Sequence, residues 1–227
     1  MENETPNNII TDKDKKANDK AIKFLISLAV GALLVGLLGF GIGYAVRGSG
    51  QKPKPAQEEI TPKDTSASSE TDGVTVGGVK LVRSQDITDN LTSAPTLSSL
   101  VSFHKQAQIS DKLKLPGPFT VFAPTNDAFS KLPEGTSDAL TRTENKKLLT
   151  DTMSYQIVPG TYTSADLKVM AQKGETLKTL QGSALTPILD ENLLKIKDAN
   201  GTIAGMETSD AVARNGIIHT IDGFLTQ

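Results

Sequence analysis

Residue types able to do chemistry are few in this chain of 227 residues. Cysteine is absent and histidine occurs twice, as His104 and His219. That excludes a disulfide scaffold, a thiolate nucleophile and a Cys-ligated zinc or iron–sulfur site, and a His-based metal site would need carboxylate help. His219 shares a strand face with Ile217 and Ile221, the pattern of a core or capping residue. His104 falls on a helical apolar stripe with Leu97, Leu100 and Val101. Asp222 precedes Gly223, a pairing that turns favour. Glu134, Asp138, Glu144 and Asp151 are spread over separate helical stretches, and no pair has ligand or acid/base spacing. A Gly-x-Ser-x-Gly elbow, a His-Glu-x-x-His motif, a phosphate loop and a dinucleotide fingerprint are all missing. The sequence therefore assigns no catalytic residue, no metal ligand and no cofactor. Asn90-Leu91-Thr92 and Asn200-Gly201-Thr202 match the N-glycosylation pattern, which needs a host that uses it.

The charge balance, 24 Lys plus Arg against 26 Asp plus Glu, gives a net charge of -2 and no basic footprint for nucleic acid. These averages conceal a sharp division. Residues 24–46 carry no charge. As a helix they would reach roughly 35 Å, enough to cross a hydrocarbon core of about 30 Å. A soluble core helix would keep a polar stripe, which this run lacks. A cleaved signal peptide would have a shorter apolar run and a small-x-small site, whereas Ala45-Val46-Arg47 follows here. The segment reads as a signal anchor. Lys13, Lys15, Lys16, Lys20 and Lys23 precede it, and Arg47, Lys52 and Lys54 follow. That bias favours a cytoplasmic tail over residues 1–23 and an outward-facing remainder. Ala32-x-x-x-Gly36 and Gly39-x-x-x-Gly43 have the small-xxx-small spacing that permits a weak dimer through the span.

Residues 47–80 read as a solvated linker, because the Pro/Lys/Glu/Ser/Thr tract over 47–72 cannot bury enough apolar surface to offset its ordering entropy. Over residues 81–227 helical and strand periodicities alternate. Phe119 to Ala123 reads as a buried strand closed by Pro124, with Thr125 as N-cap and Asp127 in the first turn of the next helix. Leu148, Leu149, Thr152 and Met153 form a helical stripe leading into Tyr155-Gln156-Ile157-Val158. Thr163-Ser164-Ala165-Asp166 has capping-box spacing. Beyond Gly174 the period becomes two, with Asn200-Gly201 and Asn215-Gly216 as turns. Helices first and antiparallel strands later predict an α+β domain.

Two of these stretches resemble a known family. Thr120 to Phe129 (TVFAPTNDAF), with Phe122, Thr125, Asp127 and Phe129, resembles the first signature of the fasciclin domain. Asn215 to Leu225 (NGIIHTIDGFL), with Asn215, Gly216, His219 and Asp222, resembles its closing signature. Tyr155-Gln156-Ile157-Val158-Pro159-Gly160 stands where the family has a Tyr-His motif, with Gln156 in place of the histidine. The resemblance implies a compact α+β fold, a wedge-shaped β-sandwich with helices packed on one side, which the single transmembrane helix read from residues 24–46 would precede. It also implies extracytoplasmic placement, and with no active-site motif in the chain the first reading is an adhesion role without catalysis. In related animal matrix proteins the Tyr-His region is tied to integrin contact, which makes Tyr155, Gln156 and Ile157 the candidate contact residues. This chain has no Arg-Gly-Asp tripeptide. The expectation is a membrane-anchored module that meets an extracellular or cell-surface protein or glycan. The alternatives are an envelope protein binding a small molecule or lipid, and an enzyme of unrecognised type. A closed apolar cavity would favour the small-ligand reading.

Overall fold

The computed structural model describes residues 73–227 of the chain. The tail expected at 1–23, the span expected at 24–46 and most of the linker lie outside them. Among the described residues no helix is long and apolar enough to cross a membrane.

The first described residues fall inside the stretch expected to be linker. Val74 and Val76 alternate with polar positions, as do Val79 and Leu81, around Gly77-Gly78. They form an antiparallel hairpin of β1 (Gly73–Val76) and β2 (Val79–Val82). Val76 and Leu81 are buried in the main core. Gly77, at φ +56°, approaches Thr96 so closely that a Cβ would stand 2.4 Å from its hydroxyl. The boundary at residue 80 is thus corrected. Alternating valines about a Gly-Gly turn need only an apolar surface to dock on, and the neighbouring helices supply it.

Those helices are α1 (Ile87–Ser93), α2 (Ser98–Gln106) and the short α3 (Ile109–Lys112). Asp86 caps α1, accepting from the Asp89 amide at 2.9 Å. Asn90 is fully buried on α1 and bonds Val82 in both directions, donating to its carbonyl at 2.9 Å and accepting from its amide at 2.8 Å. An amide spent this way ties the hairpin to the helix, and it leaves the glycosylation pattern at Asn90 without an accessible nitrogen in the folded state.

The sheet follows from β3 (Phe119–Pro124), which is buried along nearly its whole length. It pairs antiparallel with β4 (Ile157–Pro159) and parallel with β9 (Gly216–Ile221). Between β3 and β4 run α4 (Asn126–Ser130), α5 (Thr136–Thr141) and α6 (Lys146–Tyr155). The strand order is β4-β3-β9-β8-β7-β6-β5. The remaining strands are β5 (Leu177–Lys178), β6 (Ala184–Asp190), β7 (Leu193–Lys197) and β8 (Ile203–Ala213). β8 joins the two halves, pairing with β7 through its first residues and with β9 from Met206 onward across register shifts. Bulges of this kind bend a strand. The two outer strands then come together: the amide of Leu180, just past β5, donates to the Ile157 carbonyl of β4 at 2.7 Å. The result is a sandwich close to a closed barrel.

Two apolar clusters flank the central strands. Val121, Ala123, Ile157 and Ile218 face a cluster with α1, α2, α5 and α6. Phe122, Val158 and Ile221 face the other, with Leu185, Ile196 and Leu225. Helix α7 (Ser164–Lys173) adds Leu167 to that second cluster and packs on β6 and β7. Helices are therefore not confined to one side as expected, because the crossover from β4 to β5 must cover the open face of the bent sheet. The Thr163 capping box is formed, with Asp166 as its second member, and Gly174 closes α7 at φ +68°.

The hairpin carries a measurable share of this core. A chain of residues 83–227 loses Val76 and Leu81 and strands the Asn90 amide. At roughly 1.5–3 kcal/mol per buried aliphatic side chain, the cost is about 3–6 kcal/mol. Urea unfolding should therefore place residues 83–227 well below residues 73–227 in midpoint. Equal midpoints would make the hairpin an appendage.

Candidate functional site

The two family-like stretches meet as neighbouring strands. Phe119 pairs with Gly216 and the register continues to Pro124 with Ile221. A Cβ at Gly216 would lie 2.0 Å from the Phe119 carbonyl oxygen, so the close approach of β3 requires glycine there. Asn215 stitches three segments together. Its Oδ1 accepts from the Ile87 amide at 2.9 Å, and its Nδ2 donates to the carbonyls of Leu113 at 2.6 Å and Leu115 at 3.0 Å. Phe122 is fully buried and stacks on His219 with ring centroids 5.7 Å apart. Phe129 packs between Phe103 and Phe224, at 5.0 and 5.1 Å.

Both histidines are core residues. Nδ1 of His219 accepts from the Asp210 amide at 3.2 Å, which leaves Nε2–H to donate to the Tyr162 carbonyl at 2.8 Å. Burial lowers its pKa, while the Tyr162 bond and the charge of Asp210 oppose that shift. Asp210 holds a left-handed φ of 63°, and its carboxylate accepts from the Ser164 amide at 2.8 Å and from the Ser164 hydroxyl. His104 is buried with Nε2 unpartnered, and burial pushes its pKa down to about 4.

The candidate contact segment is also internal. Tyr155, Gln156 and Ile157 are each fully buried, so none presents its side chain to a partner in this fold. The Tyr155 hydroxyl donates to the Ala184 carbonyl and accepts from the Ala199 amide, both at 2.9 Å. Burial is the first cause raising the phenol pKa to about 12; the Asp198 charge adds to it and the Ala199 bond opposes it. Gln156 donates through Nε2 to the Leu225 carbonyl at 2.7 Å, the role an imidazole N–H could fill, and leaves its Oε1 without a partner. The physical reason for the correction is position: α6 ends by turning Tyr155 into the second cluster, directly under the β6 and β7–β8 connections.

What the surface offers lies elsewhere. Thr125 is the N-cap of α4 in backbone conformation, yet its hydroxyl makes no capping bond and has no partner although the residue is only 7% exposed. It lines a cavity of about 230 Å³ together with Thr96, Asp127, Glu207, Thr208 and Thr220. The Thr96 hydroxyl is likewise buried and unpartnered. Burial raises the Glu207 pKa, the nearby charges of Asp222 and Asp127 add to that, and Lys131 opposes it. Asp222 itself is structural as well as acidic. Its Oδ1 accepts from the Gly205 amide at 2.6 Å and its carbonyl accepts from Lys131 at 2.6 Å. Sequence spacing could not reveal this cavity, because Glu207 and Thr96 reach it from distant segments. A larger groove of about 570 Å³ runs beside Leu115, Pro116, Pro118 and Val212, with Lys114 and Arg214 among its walls. Among the described residues no group of three or more His, Cys, Asp or Glu side chains could hold a metal ion.

Residues 95–227 match the pattern of the family described as Fasciclin domain, so the chain belongs to the fasciclin domain family. It is 42% identical over 127 residues to protein sll1483 of Synechocystis, a match covering 56% of this chain and 65% of that protein. A second Synechocystis protein, sll1735, is 36% identical over 140 residues, covering 62% of this chain and 96% of that one. Among solved structures, a FAS1 domain pair from the insect cell adhesion molecule Fasciclin I superimposes with a TM-score of 0.58 at 21% identity. That match covers 64% of this chain and 52% of the other.

Two measurements test these assignments. Tyr155→Phe should lower the stability of residues 73–227 by about 1 kcal/mol, because it removes the buried hydroxyl that bridges the Ala184 carbonyl and the Ala199 amide; an unchanged urea midpoint contradicts the bridge. The pH dependence follows from His104. The unfolded chain takes up the proton near 6.5 and the folded chain only near 4. Stability is therefore complete above about pH 6.5 and falls as pH drops toward 4, by roughly 3 kcal/mol at about 1.4 kcal/mol per unit. His219 adds loss in the same direction. His104→Leu should flatten the acid limb, and an unaltered limb would place the titration elsewhere.

Proposed function

We propose that the chain is a non-catalytic, membrane-anchored module that displays a single fasciclin domain outside the cytoplasm for adhesion to a cell-surface or extracellular protein or glycan. The observation that carries this reading is the use of both family stretches, and of both histidines, for packing and internal hydrogen bonds. What remains available is surface, which suits interaction rather than turnover. The uncharged run over residues 24–46 and the lysines before it support the anchor and its orientation. The structural likeness to a cell adhesion molecule supports the role, and a relative covered over 96% of its length supports a domain that works singly. A second reading, an envelope protein for a small amphiphile, is favoured by the groove beside Leu115 and Pro118, whose volume of about 570 Å³ lies within the range of ligand pockets.

Protease added to intact cells should release the domain by cutting near residues 50–70, and beads coated with the purified protein should adhere to the native surface. Cleavage only after lysis contradicts the orientation. Beads that fail to adhere, together with an amphiphile that co-purifies in native mass spectra, favour the second reading.

A further inference from the structure

Among the described residues, the grooves beside Leu115 and Phe224 mix apolar and ionic walls, whereas the cavity beneath the β1–β2 turn combines unspent buried polar groups with net charge. Thr125 and Thr96 bring hydroxyls that are shut off from solvent and bonded to nothing. A buried hydroxyl without a partner is destabilising, so a ligand group that satisfies it recovers that loss on binding. Asp127 and Glu207, both solvent-exposed, bring two carboxylates to the same cavity. Asp222 lies close enough to act on Glu207, and Lys131, a cation that acts on the same carboxylate, is already bonded to the Asp222 carbonyl. The cavity thus presents acceptors and negative charge.

The geometry points to a binding site for a single cationic side chain, a lysine or arginine on a basic segment of a partner protein. Ionised carboxylates can only accept, and a hydroxyl can accept while its proton turns to a carboxylate, so the occupant must be rich in donors. An ammonium carries three N–H donors and a guanidinium five. At about 230 Å³ the volume is below that of ordinary ligand pockets, roughly 300–1,000 Å³, but suits one side chain. A sugar also offers donors. No aromatic ring lines the cavity to stack on a sugar face, however, and a neutral sugar gains nothing from the charge of the two carboxylates. The hairpin turn forms one wall, with Gly77 against Thr96, so the site depends on the segment just after the linker.

This inference rests on the adhesion reading and names the chemistry of its partner. The test uses the full-length chain in detergent, with the amide-capped tripeptide Gly-Arg-Gly as probe, its lysine counterpart, and the citrulline counterpart as a neutral isostere. The Arg and Lys peptides should shift the amide resonances of Thr96, Asp127, Glu207 and Thr208 saturably, and the citrulline peptide should not. The Asp127→Asn/Glu207→Gln variant should bind at least tenfold more weakly while melting as the parent does. Thr125→Ser should retain binding and Thr125→Val should weaken it, each compared at matched stability. Equal binding of the citrulline peptide, shifts elsewhere on the domain, or an unaffected double variant would overturn the proposal. Shifts at these residues with N-acetylglucosamine or glucose and none with the peptides would also overturn it, in favour of a glycan. If the peptides fail while coated beads still adhere, the cavity assignment falls and the adhesion reading stands.

Discussion

The parallel pairing of β3 with β9 is the constraint on which the rest of the domain depends. It brings a strand from the first third of the domain beside the last strand of the chain, in register from Phe119 with Gly216 to Pro124 with Ile221. A parallel pair cannot be closed by a tight turn and must be buried on both faces. Everything between the two strands therefore has to wrap around them. Helices α1 to α6 cover one face through Val121, Ala123 and Ile218, while the bent β8 folds β5 to β7 over Phe122 and Ile221 on the other. The long sequence stretches that mark the family coincide with this pair and with the turns entering and leaving it. Their residue types answer to packing at that position, from the glycine at 216 to the stacked Phe122 and His219.

A few polar side chains hold the wrapping segments against that centre. Asn215 ties α1 and the loop after α3 to the start of β9, and Asn90 ties α1 to the hairpin. Asn126 accepts from the Ser99 amide at 3.0 Å and donates to the Pro95 carbonyl at 3.0 Å, joining α4 to the start of α2. Asp198 accepts from the amides of Asn200, Thr202 and Thr226, fixing the β7–β8 turn to the carboxyl-terminal segment. Tyr155 bridges that same turn to β6. Each replaces a water-satisfied loop end with a bond inside the domain, so loop geometry is set by side chains far apart in sequence.

That division explains what was legible in the sequence. β3 showed itself as an apolar run because both faces are covered, and α7 through its capping box and the glycine that ends it. The turns at Asn200-Gly201 and Asn215-Gly216 were visible because their chemistry is local. The β1–β2 hairpin was hidden by the charged tract before it, although its valines alternate correctly. Tyr155-Gln156-Ile157 misled for a different reason: an aromatic among aliphatics has the same composition at a contact surface and in a core, and only the path of α6 decides between them. The cavity at Thr125 was illegible, since its walls come from the hairpin, the start of α4 and the bulged part of β8.

Native-state hydrogen exchange on the domain across a urea series tests the role of the central pair most directly. The amides of Val121, Phe122, Ile218 and His219 should exchange only through global unfolding, with a free energy and urea dependence equal to those of the whole transition. Amides in the β1–β2 hairpin and α7 should exchange through smaller openings. If the β3 and β9 amides open at lower free energy than those of β6 and β7, the parallel pair is not what the domain is built around.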